Sequence, residues 1–427
     1  MNNWPKTRLA SLCHRIGDGL HGTPNYKEDG EVYFINGNNL KDGKIVTDPD
    51  TKKVTYDEFK KNFIRLNENT LLLGINGSLG NMAFYAGEKV MLGKSSAYLN
   101  FKSDVNRFYY YYFQLPGIQK HFLDVATGST IKNLSLKSLQ DFEVPIPPEE
   151  EYKKIVLVLS ALDDKIELNN NINAELEAMA KTLYDYWFVQ FDFPNAEGKP
   201  YKFSGGEMVY DEVLKREIPN GWEVTTLGKI ANITMGQSPD GTSYNDTGEG
   251  LVFYQGSTDF GWRFPTLRQF TTKPTRFAKV GDILLSVRAP VGTFNVAKED
   301  CCIGRGLSAI NSKDKFNSFL LYQLSYFKKR FENINSVGTT FGSITKDELH
   351  SLVVCYPSPE ILSQFESIVS NFDEKIFINS KQNQELASLR DWLLPMLMNG
   401  QVKVVEAYKE VEEKLAMVAE ADAGYGK

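Results

Sequence analysis

The sequence predicts an α+β chain, two pseudo-repeated domains joined by two long helices taken as an antiparallel coiled coil. Three observations carry that expectation. The chain matches itself at a separation of 210 residues; each copy begins with short apolar runs punctuated by Gly, Asn and Pro; and each copy ends in an apolar seam of heptad period.

At that shift Gly128-Ser129-Thr130 falls on Gly338-Thr339-Thr340, Leu134 on Ile344, Leu139 on Leu349, Pro147 on Pro357 and Asp163-Asp164-Lys165-Ile166 on Asp373-Glu374-Lys375-Ile376. Further upstream the offset drifts as loops differ in length, with Leu79-Gly80 meeting Val291-Gly292 and Trp4 with Leu9 meeting Trp222 with Leu227. A period this long is too large for a solenoid and reads as duplication of a domain together with its helix.

The elements follow in order. Residues 1–148 form a first domain with strand signals at Glu31 to Ile35 and Leu71 to Ile75. Residues 149–190 lose Gly and Pro and form a central helix, and 191–217, with Pro194, Gly198, Pro200, Gly205 and Gly206, form a linker. Residues 218–357 repeat the domain, with strand signals at Leu251 to Tyr254 and Ile283 to Val287, and 358–400 repeat the helix. In the charged tail, 401–427, Glu406, Glu410, Glu412 and Glu413 with Val405, Leu415 and Val418 predict a short solvated helix.

Spacings of four and three connect Ile155, Leu159, Leu162, Ile166, Asn169, Asn173, Leu176, Ala180, Leu183 and Trp187. The copy reads Phe365, Val369, Phe372, Ile376, Asn379, Asn383, Leu386, Arg390, Leu393 and Leu397. A helix from Glu149 to Phe188 is about 60 Å long at ~1.5 Å per residue. Each seam has its midpoint between its two Asn residues. Antiparallel pairing therefore sets Asn169 beside Asn383 and Asn173 beside Asn379, whereas parallel in-register pairing also matches Asn with Asn, so the pattern leaves the direction open. The same seam predicts that a fragment ending near Gly206 pairs with a second copy of itself.

A chain of 427 residues exceeds one core, and 42% hydrophobic with 24% charged residues is ordinary for a globular protein. Four cysteines, two of them adjacent at Cys301 and Cys302, predict reduced buried thiols in place of a disulfide framework. The longest apolar run is Ile155 to Leu159, and the opening Met1-Asn2-Asn3-Trp4-Pro5-Lys6 has no apolar core, so no membrane association and a cytoplasmic location are expected. The net charge of -6 is unevenly placed. Residues 1–148 carry 18 basic and 15 acidic groups and 218–357 carry 15 and 12, whereas 149–217 carry 8 and 15 and 358–427 carry 7 and 12. The bodies are basic and the helical segments acidic.

Catalytic motifs are missing. Gly87 to Gly93-Lys94-Ser95 has five residues between its glycines where a phosphate loop has four, and three of those are the apolar Val90-Met91-Leu92. Pro49-Asp50 with Glu58-Phe59-Lys60 imitates a nuclease set at too short a spacing and reads as a charged loop. His14, His21, His121 and His350 have no metal-ligand spacing, and neither a nucleophile elbow nor a base-methylating motif occurs. No cofactor and no metal are expected.

Between Trp262 and Lys279, the cations Arg263, Arg268, Lys273, Arg276 and Lys279 alternate with Trp262, Phe264, Phe270 and Phe277 without an acid. That alternation suits a groove following phosphates, or alternatively an edge strand guarded by charge. The first copy has a diluted counterpart in Lys52, Lys53, Lys60, Lys61 and Arg65. Polar loop residues able to read base edges are His21, Thr23, Asn25, Asn76, Gln237, Ser238, Gln255, Arg288 and Arg305, with Lys94, Thr130 and Thr340 as further candidates.

At this point the sequence resembles the DNA-specificity (S) subunits of type I restriction-modification systems over nearly its whole length. The likeness is carried by Asp18-Gly19-Leu20-His21-Gly22-Thr23-Pro24, Gly236-Gln237-Ser238-Pro239, Gly281-Asp282-Ile283-Leu284 and Gly338-Thr339-Thr340. The string Tyr201-Lys202-Phe203-Ser204-Gly205-Gly206-Glu207-Met208-Val209 followed by Ile218-Pro219-Asn220-Gly221-Trp222 adds to it. The resemblance implies that residues 1–148 and 218–357 are target recognition domains, each reading one half of a gapped double-stranded DNA site, with the helices as spacer. It implies as partners two modification subunits, which supply methyl transfer from S-adenosylmethionine, and restriction subunits that hydrolyse ATP. A methyltransferase-only or other restriction assembly is the alternative within the family; a stand-alone nuclease is opposed by the missing motifs. One departure concerns the start: Asn-Asn-Trp-Pro stands where the second copy has Ile-Pro-Asn-Gly-Trp, so a less anchored first strand is expected.

Overall fold

The computed structural model describes residues 4–328, 331 and 342–424, the side chains of 415–424 excepted. Gly338-Thr339-Thr340, and with it the candidate Thr340, lies outside the described residues. The chain divides into two compact units, Met1–Glu167 with Gln382–Lys427, and Leu168–Lys381. Both divisions fall inside long helices, Glu149–Tyr184 and Pro359–Met398, so each unit holds part of each helix. The first helix is uninterrupted by Gly or Pro and starts with Glu149, Glu150 and Glu151, whose charges favour the positive end of the helix dipole.

In the first unit a four-stranded antiparallel sheet has the order Cys13–Asp18, Ser96–Phe101, Thr70–Gly74, Met82–Phe84. Beside it Val32–Ile35 pairs antiparallel with Lys53–Val54 and parallel with Val90–Leu92. The second unit repeats the four-stranded sheet as Ala231–Met235, Leu307–Ser312, Ile283–Ser286, Phe294–Val296. Its second sheet again contains one parallel pair, Leu251–Tyr254 with Cys301–Ile303. Repeated glycines make these junctions possible. A Cβ on Gly19 would come within 2.1 Å of the Leu92 carbonyl oxygen, and a Cβ on Gly236 within 2.1 Å of that of Gly304.

The helix halves carry each unit's core. In the first, Ile155, Val158, Leu159 and Leu162 join Leu386, Leu393, Leu394 and Leu397 with the aromatic helix Asn106–Gln114. In the second, Tyr184, Trp187 and Phe188 surround Phe365, with ring centroids 6.3, 5.9 and 4.9 Å away. The second unit also fixes the direction. Asn379 Nδ2 donates to Asn173 Oδ1 at 2.9 Å, and further along the first helix Trp187 meets Phe365, so one helix ascends as the other descends. The pairing is antiparallel; a parallel in-register pair would have matched Asn173 with Asn383. Asn169 is buried and Asn383 half-buried.

Three expectations change. The first strand is anchored as in the copy: Lys6–Arg8 pairs antiparallel with Glu143–Pro145, as Glu223–Thr226 pairs with Val353–Tyr356. Trp4 supplies the hold, its ring edge-on to Phe108 and its Nε1 donating to Glu151 at 3.1 Å. The stretch 191–217 is folded: Met208–Asp211 forms a hairpin with Arg216–Pro219, and Phe193 stacks between Tyr201 and Trp222. The tail is a 21-residue helix, Val404–Gly424, and it is not merely solvated. Its buried positions are Ala407 and Val411, which enter the first unit's core while Val405 faces water.

Candidate nucleic-acid interface

In each unit the parallel strand pair ends where three other segments turn, and backbone hydrogen bonds bind those tips together. In the first unit Gly93 N donates to Ile35 O at 2.8 Å, Leu20 N to Leu92 O at 2.8 Å, Lys94 N to Leu20 O at 3.0 Å and Ile75 N to Ser95 O at 2.9 Å. His21, Asn36, Asn76, Lys94 and Ser95 thereby share one end of the sheet. Ser95 Oγ donates to Asn36 Oδ1 at 2.8 Å, and His21 Nε2 lies 2.7 Å from Asp18 Oδ2. Asn76 reaches Asn133 at 3.4 Å, beside a loop closed by two backbone bonds between Thr127 and Asn133 that holds Thr130 exposed. Thr23, Asn25 and Lys94 are exposed.

The second unit repeats three of these four bonds with other side chains, and in place of the fourth Arg305 N donates to Ser238 Oγ at 3.4 Å. Gly304 N donates to Tyr254 O at 2.8 Å, Gln237 N to Ile303 O at 3.0 Å and Val287 N to Gly306 O at 2.9 Å. Gln255 Nε2 donates to Ser238 Oγ at 2.9 Å. Superposing these bonds sets Gln255 on Asn36, Arg288 on Asn76 and Arg305 on Lys94. Gln237, Arg288 and Arg305 are exposed, as is Arg276, whose carbonyl accepts from Ile303 N at 3.0 Å. Asn36 and Ser95 were missed in the sequence because the offset between copies drifts through this region. The usable signal was the polar residue directly after each of two apolar strands.

The basic and aromatic stretch does not form one surface. Trp262 and Phe277 are exposed, and Lys273 and Arg276 face water. Phe277–Ala278 is an edge strand flanked by Arg276 and Lys279, which fits the guarded edge; Lys279 bonds to Asp300 at 2.6 Å. Arg268 is held by Asp259. Arg263 must be corrected outright: only 5% of its side chain is exposed, and it is an internal anchor, paired with Asp373 and, at 3.4 Å, with Glu177. Burial raises the carboxyls of Asp373 and Glu177 above their usual range, and the Arg263 guanidinium opposes the rise. In the first unit Lys52 is exposed, Lys53 lies 5.0 Å from the Tyr33 ring and Lys60 4.6 Å from the Tyr56 ring.

Among the described residues no group of three or more His, Cys, Asp or Glu could hold a metal ion, and no helix is long and apolar enough to cross a membrane.

A family model described as the type I restriction modification DNA specificity domain matches residues 1–178 and 219–388. A provisionally named specificity subunit of the MjaX type I restriction enzyme of Methanocaldococcus jannaschii is 34% identical over 422 residues, 94% of each chain. The MjaIX specificity subunit of the same organism is 30% identical over 321 residues, 71% of this chain and 70% of its own. The crystal structure of a type I restriction-modification S subunit from M. genitalium shares the fold, with a TM-score of 0.58 at 20% identity, covering 93% of this chain and 97% of that one.

Proposed function

Because this chain belongs to the type I restriction-modification DNA specificity family, we propose that its two bodies each read one half of a gapped double-stranded DNA sequence for an enzyme assembled around it. One observation carries the reading. Matching backbone frames, sharing three of four bonds, present Asn36, Asn76 and Lys94 in one unit and Gln255, Arg288 and Arg305 in the other. Such a design holds phosphates through its cations while its amides and guanidinium vary the base edges met. The excess of basic groups in 1–148 and 218–357 favours the polyanion, and the acidic helices are left for protein partners.

The chain supplies recognition, and the modification subunits supply methyl transfer with S-adenosylmethionine; restriction subunits complete the nuclease. Cosedimentation with a modification subunit, followed by mapping of the methylated adenines, tests this. Asn76→Ala is expected to relax one half of the methylated sequence and Arg288→Ala the other, whereas Lys94→Ala is expected to weaken binding without changing the sequence methylated. Methyl transfer by the chain alone, or both halves relaxing together in each variant, would sink the proposal.

A further inference from the structure

We infer that each recognition body is keyed to its own helix environment by charges the duplication does not share, so that the two bodies cannot exchange places along the chain. Two equivalent positions show the difference. Phe84 N donates to Gly43 O at 2.9 Å and Val296 N to Arg263 O at 2.9 Å, within strands that pair alike, so Gly43 corresponds to Arg263 and Lys44 to Phe264. On the helices, Asp163 corresponds to Asp373, Glu167 to Phe377 and Ala180 to Arg390 at the repeat spacing.

The contacts then differ in kind. In the first unit Lys44 pairs with Glu167; in the second the same places hold Phe264 edge-on to Phe377, centroids 5.6 Å apart. Asp163 accepts from Tyr111 Oη at 2.7 Å and is neutralised by Arg390, also at 2.7 Å, an arginine of the opposite helix. Asp373 is neutralised by Arg263, an arginine of the body itself, whose guanidinium also lies 5.8 Å from the Tyr322 ring. One carboxylate is thus served from the helix and the other from the body. The first body placed in the second unit leaves the half-buried Asp373 without its cation, and the second body placed in the first sets Arg263 beside Arg390 at the one carboxylate of Asp163; losing one partner of such a pair costs more than the pair itself contributes. The first body there also loses the Lys44–Glu167 pair, since Phe377 stands in the place of Glu167. The consequence is that the order of the two half-sites is written into the chain.

The test uses the full-length chain with residues 1–148 also placed at 218–357. In it, Gly43 stands where Arg263 was and Lys44 faces Phe377. The expected result is a melting temperature ~10 °C below the parent. Adding Ala180→Arg and Phe377→Glu, which copy the first unit's helix charges into the space Gly43 leaves, is expected to recover at least half of that loss. The same two changes in the parent, where Arg263 is present, are expected to lower its melting temperature. A chimera melting within ~2 °C of the parent, a smaller recovery, or failure of both chimeras to accumulate as folded protein overturns the inference. Melting involves no DNA, so that failure leaves the recognition reading standing, and failure of DNA recognition leaves the keys standing.

Discussion

At the scale of single residues, cations that look alike in the sequence have different work. Lys273 and Arg276 face water, while Arg263 is enclosed between Asp373 and Glu177. Changing Lys273 and Arg276 to Ala should flatten the salt dependence of DNA binding by the assembled complex, by ~0.9 in the log-log slope for each phosphate that is no longer neutralised. Arg263→Met should leave that slope unchanged and lower stability by about 3 kcal/mol, since it strands two half-buried carboxylates; differential salt titration with melting separates the two. The variant should also gain a pH dependence. The Asp373 and Glu177 carboxyls titrate above their unfolded values, so the folded chain binds more protons between the two values and stability falls as pH rises through that window. Removing the opposing guanidinium widens it, and denaturant titrations at several mildly acidic pH values should show the variant approaching the parent as pH falls. A constant deficit would mean that Arg263 acts through packing alone.

At the scale of the helices, a buried amide pair and a graded seam divide the work. Changing Asn173 and Asn379 to Leu should preserve or raise the melting temperature while broadening register, because apolar burial replaces a polar pair whose main contribution is specificity. Crosslinking at engineered positions reads the register. The fragment ending at Gly206 offers the same heptad seam to a second copy, yet it places Ala180 where Asp163 meets Arg390 and Tyr184, Trp187 and Phe188 where Leu394, Leu397 and Met398 pack. Ala180→Arg should therefore tighten self-association of the fragment about tenfold or more by sedimentation, a charge-assisted bond being worth ~1.5–3 kcal/mol. No change would mean that Asp163 needs no partner there.

At the scale of the whole molecule, replacing residues 1–148 by the matching part of a relative should change one half of the methylated sequence and leave the other half and the gap length as they were. The repeated backbone frames make the bodies separate readers, and sequencing of methylated host DNA checks it. Alteration of both halves would show that the readers are coupled. The same scale explains which elements were readable in advance. Leu251–Tyr254 and Ile283–Ser286 stood out as apolar runs bounded by Gly and Pro, and the helices through their heptads. The hairpin in 191–217 and the anchored tail did not, because their burial rests on two or three side chains, Phe193, Ala407 and Val411, too few to make a period.

By itself the sequence determined the duplication, the order of domain and helix in each copy, the length of both helices and the basic bodies beside acidic helices, since all of these are properties of spacing and composition along one chain. Tertiary structure decided the direction of the helix pair, the partners of each charge and which loop tips share one end of a sheet. Arg263 and Arg276 lie on the same short stretch with similar neighbours, and only the folding of Asp373 against one of them made it an anchor. Asn36, Asn76 and Lys94 are far apart in sequence and meet only through backbone bonds between strand ends. The physical reason is that periodicity is a local quantity, whereas the pairing of a charge, the burial of an amide and the meeting of loop tips depend on which distant segments the sheets and helices bring together.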